Sequence, residues 1–180
     1  MDLFNFFTKR EKIKLSDLFN ISKKWTDIYL KQNPKVSNFK SYYAEILMFN
    51  SWAAYFYCHN ENKIQDNDPN EFIESLYFLV GACVDMERSY FDVLINVRLR
   101  LYKGEIESLL QSDYPRTKQY IPFHLYCALE INPLKPNPTI EVDDDDISFD
   151  DAMAEWIGKV YKHWNFIMRD IRDITNSINE

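Results

Sequence analysis

Only three glycines, Gly81, Gly104 and Gly158, occur among the 180 residues, and no two of them lie near each other. Phosphate-binding loops need several neighbouring glycines, because the backbone itself must approach the phosphate. Tight hairpins also favour glycine, because their turns need residues at positive φ. The sequence therefore excludes a P-loop and a dinucleotide-binding turn, and it disfavours a fold rich in hairpins.

Apolar residues recur at helical spacing along most of the chain. The segment 38–60 is apolar on nearly all sides, and the stripes over 68–104 and 148–178 keep helical spacing throughout. A shorter stripe covers 16–32. Asp68 followed by proline is typical of a helix start, so we expect one long helix from there to Gly104. The pattern predicts an all-α, single-domain bundle of five to seven helices with three long core helices.

The chain length and a hydrophobic content of 46% suit one domain with a full core. We assign residues 1–180 to this single helical domain. Residues 1–14 are expected to form a short first helix or a flexible arm. Residues 132–147 contain Pro133, Pro136 and Pro138 followed by acidic residues, and they predict an extended connector.

The segment Tyr42–Cys58 is the only stretch that invites comparison with a membrane span. Glu45, Asn50 and Ser51 interrupt it, and its length is at the bottom of the spanning range. We therefore interpret it as the buried central helix and expect no membrane span. No secretory signal is recognisable, which predicts a cytoplasmic protein. The sequence has three cysteines, Cys58, Cys83 and Cys127. An odd number argues against a disulfide framework.

Catalytic motifs are absent from the sequence. Any site built on histidine would use His59, His124 or His163, and no serine lies in a nucleophile-elbow motif. No Glu-x-x-His motif of di-iron bundles occurs. His124 and Cys127 are spaced for one helical face, but a zinc site needs a second pair of ligands. We expect a non-catalytic protein with no metal and no cofactor.

Glu45 is the most informative single residue, because it lies inside the most apolar helix. A buried carboxylate needs a partner, and Arg88, Arg98 or Arg100 could supply one from the long helix that follows. We interpret such a pair chiefly as a structural ion pair. The alternative is a polar pocket around Glu45, Arg88 and Arg98 that serves a helical enzyme or a small-ligand binder.

The formal net charge of −7 is unevenly distributed. Residues 1–40 are basic and residues 41–180 are strongly acidic. This balance disfavours a nucleic-acid ligand and favours a basic protein partner. The strongest acidic feature is a group of aspartates that we predict to form the interaction surface: Asp143, Asp144, Asp145, Asp146, Asp150 and Asp151.

Three hypotheses about function follow from these patterns. The first is a binding or neutralising module that masks a basic partner with its acidic surface, as small bacterial immunity proteins do with toxin nucleases. This is an analogy of class, without a shared motif. The second is the enzyme or ligand binder with a pocket around Glu45 and Arg98. The third is a self-associating structural subunit, a homo-oligomer, with an exposed apolar patch on the last helix.

Overall fold

The protein is seen here in a computed structural model. The structure describes the following residues: 12–32, 39–60, 63–65, 68–111, 133–136, 166–167 and 169–173. This part of the chain is mostly helical and contains no strand. Its four longest helices are α1 (Leu15–Gln32), α2 (Phe39–Asn60), α3 (Pro69–Gly81) and α4 (Arg88–Gln111).

Residues 166–167 and 169–173 are also helical, within the last predicted helix. The all-α prediction is therefore confirmed for the described residues. The predicted bundle size of five to seven helices extends to other residues and stays a prediction.

Helix α2 is the centre of the described core, as its composition predicts. From Ala44 to Tyr55 every residue is buried, and Cys58 is buried as well. Such a helix needs neighbours on nearly all sides, because both its faces are apolar. Among the described residues, no helix is sufficiently long and apolar to cross a membrane.

Helix α1 lies antiparallel to α2, and backbone hydrogen bonds connect the residue before the start of α1 with residues after the end of α2. The N–H of Ile13 donates to the carbonyl of Lys63 at 2.8 Å, and the N–H of Gln65 donates to the carbonyl of Ile13 at 2.9 Å. The start of α1 thus lies beside the residues that follow α2. Ile13 is fully buried, so this residue of the predicted arm belongs to the core, whereas Lys12 and Lys14 on either side of it are exposed. Residues 1–11 lie outside the described part.

Helix α3 begins where the sequence predicts. The Asp68 side chain accepts a 2.8 Å hydrogen bond from the N–H of Asn70, and Pro69 is the first helical residue. This cap satisfies a donor that the helix itself cannot pair. The ring of Phe72 then stacks on Tyr55 with centroids 4.1 Å apart. Burying a ring of this size contributes about 1.5–3 kcal/mol.

The single long helix expected over 68–104 is wrong, because the structure divides it. Helix α3 ends at Gly81, and α4 begins at Arg88. Continuing the inward stripe of Phe72, Leu76 and Val80 would place position 87 inside, and this position is Glu87. A charge there disfavours continuation. Helix α4 also passes through Gly104, which was expected to close or bend the helix, and ends at Gln111.

The break changes which face of α4 is buried. In one unbroken helix over 68–104, the apolar stripe that begins at Phe72 would continue through Tyr90 and Val97, but these side chains are 42% and 37% exposed. A different face of α4 is buried, and it is formed by five residues at helical spacing: Phe91, Leu94, Ile95, Arg98 and Tyr102. Because six residues between α3 and α4 are not helical, the second helix restarts with a new phase.

Contacts between side chains show that α4 runs parallel to α2. Glu45 contacts Arg98, and one turn further along both helices Phe49 contacts Tyr102, with ring centroids 5.2 Å apart. Tyr55 near the end of α2 contacts Phe72 near the start of α3. The four helices therefore alternate in direction, and the polar residues of α2 and α4 face each other inside the bundle.

The described residues of the last helix pack on α1. The rings of Trp25 and Phe166 stack at 5.2 Å, and Asp170 Oδ2 accepts hydrogen bonds from Trp25 Nε1 at 2.8 Å and Lys24 Nζ at 2.5 Å. Ile167 and Ile171 are fully buried. Both lie on the apolar stripe that the sequence predicts for this helix.

Candidate functional site

The strongest polar constellation of the described residues is centred on Glu45, which is fully buried. Its Oε1 accepts from Arg98 Nε at 2.7 Å and from the Tyr102 hydroxyl at 2.7 Å. Its Oε2 accepts from Arg98 Nη2 at 3.3 Å and from the backbone N–H of Leu134 at 2.6 Å. Helix α2 thus supplies the carboxylate, α4 supplies two donors, and the segment 133–136 supplies the fourth contact. We call these four residues the Glu45 cluster.

The Glu45 carboxylate has no remaining hydrogen-bonding capacity. A carboxylate offers about four lone-pair sites, and each of its oxygens accepts two hydrogen bonds from protein donors. A general base or a metal ligand needs at least one such site for its substrate or ion. The geometry therefore favours a structural role for Glu45, as the sequence chiefly suggested.

Burial and charge act on the pKa values of the two side chains from α4. Burial raises the pKa of Tyr102 well above its ordinary value, and the negative charge of Glu45 raises it further. Burial is the largest single effect on the pKa of Arg98 and lowers it, but the charge of Glu45, the hydrogen bond to Glu45 and the nearby Tyr102 and Tyr90 together leave that pKa raised. Tyr102 is therefore a protonated donor to Glu45, and Arg98 is a permanent cation. The Nη1 atom of Arg98 is buried without a hydrogen-bond partner.

Of the three arginines considered as partners for Glu45, the structure brings only Arg98 to it. Arg88 lies on the surface, where it pairs with Glu74 at 2.6 Å and with Asp92 at 2.7 Å. Arg100 is exposed, so it does not reach the buried carboxylate either. Only Arg98 lies on the buried face of α4, three residues after Ile95 and four before Tyr102.

Leu134 joins the cluster through its backbone, which sequence patterns do not reveal. It lies in the segment Pro133–Pro136, which we call the strap, and its φ is 62°. A left-handed conformation costs a leucine about 1–2 kcal/mol. Two side chains hold it there: Glu45 accepts its N–H, and the Tyr90 hydroxyl donates to its carbonyl at 2.8 Å.

The cleft beside the strap has a volume of about 440 Å³. Among its described lining residues are Ser41, Asp85, Glu87, Tyr90 and Lys135, while neither Glu45 nor Arg98 is one of them. The cleft therefore borders the strap without reaching the buried carboxylate.

The remaining predicted site residues lie outside the described part of the chain. They are Asp143, Asp144, Asp145, Asp146, Asp150 and Asp151, together with His124 and Cys127. Within the described part, Cys58 and Cys83 form no disulfide, and no group of three or more His, Cys, Asp or Glu residues is arranged to hold a metal ion.

Comparisons with known proteins return no match. No protein-family model, no curated protein and no solved structure is similar to this chain. The described fold places the protein in the all-α class.

Alkaline pH is expected to destabilise the protein from about pH 9 upward. Burial raises the pKa of Cys58 to about 12, so the folded state keeps a proton that the unfolded state has lost. The associated stability is fully present below the unfolded pKa of about 9 and falls as pH rises toward the folded pKa, by about 1 kcal/mol at pH 10. Tyr102 adds a loss of the same sign above pH 10.

Urea unfolding at pH 8, 9 and 10 measures this loss, with Cys58→Ala as the control. The variant removes one of the retained protons, so its free energy of unfolding should fall less between pH 8 and pH 10 than that of the wild type. Equal pH dependence of the two proteins would contradict the assignment to Cys58.

Proposed function

We propose that the protein is a non-catalytic protein-binding module that masks a basic partner with its acidic segment, residues 141–155. The carrying observation is the distribution of charge. Between residues 137 and 158 lie eight of the 28 acidic residues and none of the 21 basic residues. The rest of the chain has 20 acidic and 21 basic residues, so the whole negative excess belongs to this stretch.

The density of this charge suits a basic protein surface. An extended chain advances at most about 3.6 Å per residue, so the chain from Asp143 to Asp146 can span only about 11 Å, close to one Debye length at 0.1 M salt, roughly 10 Å. The fields of the four carboxylates therefore add instead of being screened separately. Such a field attracts a polycationic partner, accelerates its association and makes its binding dependent on salt.

The proposal is supported by contacts of described residues on both sides of the acidic segment in the sequence. Seven residues before it begins, Leu134 is bonded to Glu45 and Tyr90. Eleven residues after it ends, Phe166 stacks on Trp25. These contacts attach residues on both sides of the acidic segment in the sequence to the described helices.

The two alternatives receive less support. The ligand binder with a pocket at Glu45 and Arg98 needs an accessible acceptor, and the Glu45 carboxylate is saturated by protein donors. Within the Glu45 cluster, Arg98 Nη1 is a buried donor without a hydrogen-bond partner. Elsewhere in the described core, the hydroxyls of Ser51 and Tyr55 are also buried without one. The self-associating subunit was expected to have an exposed apolar patch on the last helix, but Ile167 and Ile171, described residues of the apolar stripe of that helix, are fully buried.

Replacing Asp143, Asp144, Asp145, Asp146, Asp150 and Asp151 by asparagine is expected to weaken partner binding and its dependence on salt. A pull-down from native cell lysate at low and high salt, followed by mass spectrometry, identifies the basic partner. Titration of that partner should then show an affinity about tenfold or more lower for the variant and a weaker dependence on salt.

A control variant changes six exposed acidic residues of the described part to their amides: Asp17, Asp27, Glu71, Asp85, Glu87 and Asp173. Both variants raise the formal net charge from −7 to −1, so they differ only in where the charge is removed. An equal loss of affinity in both would contradict a specific acidic interface, as would full affinity in the first.

A further inference from the structure

We propose that the cleft beside the strap binds a small zwitterion, a molecule with one carboxylate and one ammonium group. Arg98 and Lys135 bind the carboxylate, and Asp85 and Glu87 bind the ammonium group. The site goes beyond the proposed function, because it consists only of described residues and includes none of the acidic segment.

The observation that points to a ligand is the unpaired nitrogen of Arg98. The side chain is fully buried, and its Nη1 atom has no hydrogen-bond partner. Nε and Nη2 both donate to Glu45, and because a guanidinium is planar, Nη1 is directed away from that carboxylate. A buried cationic donor without an acceptor is costly, so this nitrogen calls for an oxygen acceptor from outside the Glu45 cluster.

Arg88 shows that a guanidinium of α4 can bind two carboxylates at once. It pairs with Glu74 through Nη1 and Nη2 at 2.6 Å and with Asp92 through Nε at 2.7 Å. Because the charge of Arg98 is already balanced inside the core, a second carboxylate there needs a further positive charge nearby. Lys135, which belongs to the strap and lines the cleft, supplies this charge.

The guanidinium of Arg98 lies next to the wall of the cleft. The backbone N–H of Leu134 and Arg98 Nη2 donate to the same oxygen, Glu45 Oε2, at 2.6 and 3.3 Å, so the strap and the guanidinium are neighbours. Leu134 and Tyr90 both line the cleft, and Tyr90 is sufficiently close to act on the pKa of Arg98. An outward movement of Leu134 therefore opens the cleft toward Arg98.

The described lining of the cleft carries charges of both signs. Lys135 is positive, whereas Asp85 and Glu87 are negative, and none of the three forms an ion pair among the described residues. A purely anionic ligand would be repelled by the two carboxylates, and a purely cationic one would leave Arg98 Nη1 without an acceptor. A zwitterion meets both requirements. The volume of about 440 Å³ is typical of small-molecule sites, roughly 300–1,000 Å³.

The strap is the part of the site that must move when the ligand binds. Leu134 has a left-handed φ of 62°, held by its hydrogen bonds with Glu45 and Tyr90, and such a conformation persists only while the surrounding contacts hold it. The apparent affinity is reduced by the fraction of molecules whose strap is closed. Weakening the strap should therefore tighten binding, whereas the loss of a ligand contact weakens it.

The test is calorimetric titration with three zwitterions of increasing length: glycine, γ-aminobutyrate and ε-aminocaproate. Butyrate and butylammonium are the matched probes, because each keeps the chain length of γ-aminobutyrate and only one of its charges. We expect at least one zwitterion to bind about tenfold or more tightly than either probe, because only a zwitterion pairs with both charged groups. NMR should show that it shifts the signals of the Arg98 Nε–H and the Leu134 N–H.

Variants separate the ligand contacts from the strap. Lys135→Ala should bind the zwitterion about fivefold more weakly, while Lys31→Ala, which removes an exposed lysine of α1, should match the wild type. Tyr90→Phe should bind about fivefold more tightly and show faster amide exchange at Leu134. The double variant Glu45→Leu with Arg98→Met should lose the preference for the zwitterion over butylammonium, and urea unfolding verifies that it folds.

No binding of any of the three zwitterions would overturn the site. Wild-type affinity in Lys135→Ala would overturn the assignment of the carboxylate, and weaker binding in Tyr90→Phe would overturn the movement of the strap. The six-aspartate variant should bind the zwitterion as the wild type does, because it changes none of these residues. A failure of the site and a failure of the masking proposal are therefore distinguishable.

Discussion

Glu45→Ala is expected to lower the free energy of unfolding by about 3–5 kcal/mol, one of the two largest effects of any single substitution considered. The substitution leaves the guanidinium of Arg98 as an unpaired charge at 0% exposure. It also removes the acceptor of the Tyr102 hydroxyl and of the Leu134 N–H. An unpaired buried charge costs more than a lost neutral bond, so most of the effect comes from Arg98.

Urea unfolding of the single variants and of an apolar double variant tests this account. In Glu45→Leu combined with Arg98→Met, no charge remains buried, so most of the stability lost in Glu45→Ala should return. Tyr102→Phe removes one donor to a carboxylate that keeps three others, and it should cost only about 1–2 kcal/mol. A loss below about 1 kcal/mol in Glu45→Ala would contradict this account. A double variant that is less stable than Glu45→Ala would also contradict it.

The existence of the Glu45 cluster could be predicted from the sequence, but its full membership could not. A carboxylate in the middle of an apolar helix requires a partner, which indicates one of the following arginines. The selection of Arg98 depends on the phase of α4, and that phase is set by the break after Gly81. Once Phe91, Leu94 and Ile95 define the buried face, Arg98 and Tyr102 follow from helical spacing.

Leu134 carries no sequence signal for its role, because its contribution is a backbone N–H. Any residue other than proline offers the same donor, and the contact spans 89 positions of the chain. The neighbouring prolines predict an extended connector, but they do not predict the left-handed φ of Leu134. Tertiary contacts with Glu45 and Tyr90 decide that conformation.

The division of the helix expected over 68–104 illustrates how local and tertiary preferences compete. Apolar residues continue at helical spacing through Cys83 and Met86, so the pattern favours one helix. The structure instead ends α3 at Gly81 and allows α4 to turn Arg98 inward toward Glu45. The exposed residues Tyr90 and Val97 are the face that the unbroken helix would have buried.

Trp25→Ala is expected to lower the free energy of unfolding by about 3–5 kcal/mol, the usual cost of truncating a buried tryptophan. Trp25 is 7% exposed, stacks on Phe166 and donates from Nε1 to Asp170. It is therefore the principal contact between α1 and residues 166–173. Trp25→Phe keeps an aromatic ring against Phe166 and should cost about 1–2 kcal/mol through the lost hydrogen bond and the reduced buried area.

Lys24→Ala provides the matched comparison, because Lys24 and Trp25 donate to the same atom, Asp170 Oδ2. The Lys24 side chain is 58% exposed, and an exposed ion pair contributes at most about 1 kcal/mol. Urea unfolding should therefore rank the losses in the order Trp25→Ala, Trp25→Phe and Lys24→Ala. If Lys24→Ala cost as much as Trp25→Ala, electrostatic attraction rather than aromatic packing would hold the last helix on α1. The expected ranking assigns that role to the buried ring of Trp25. The two donors share one acceptor and differ in burial, so comparing them isolates the effect of burial.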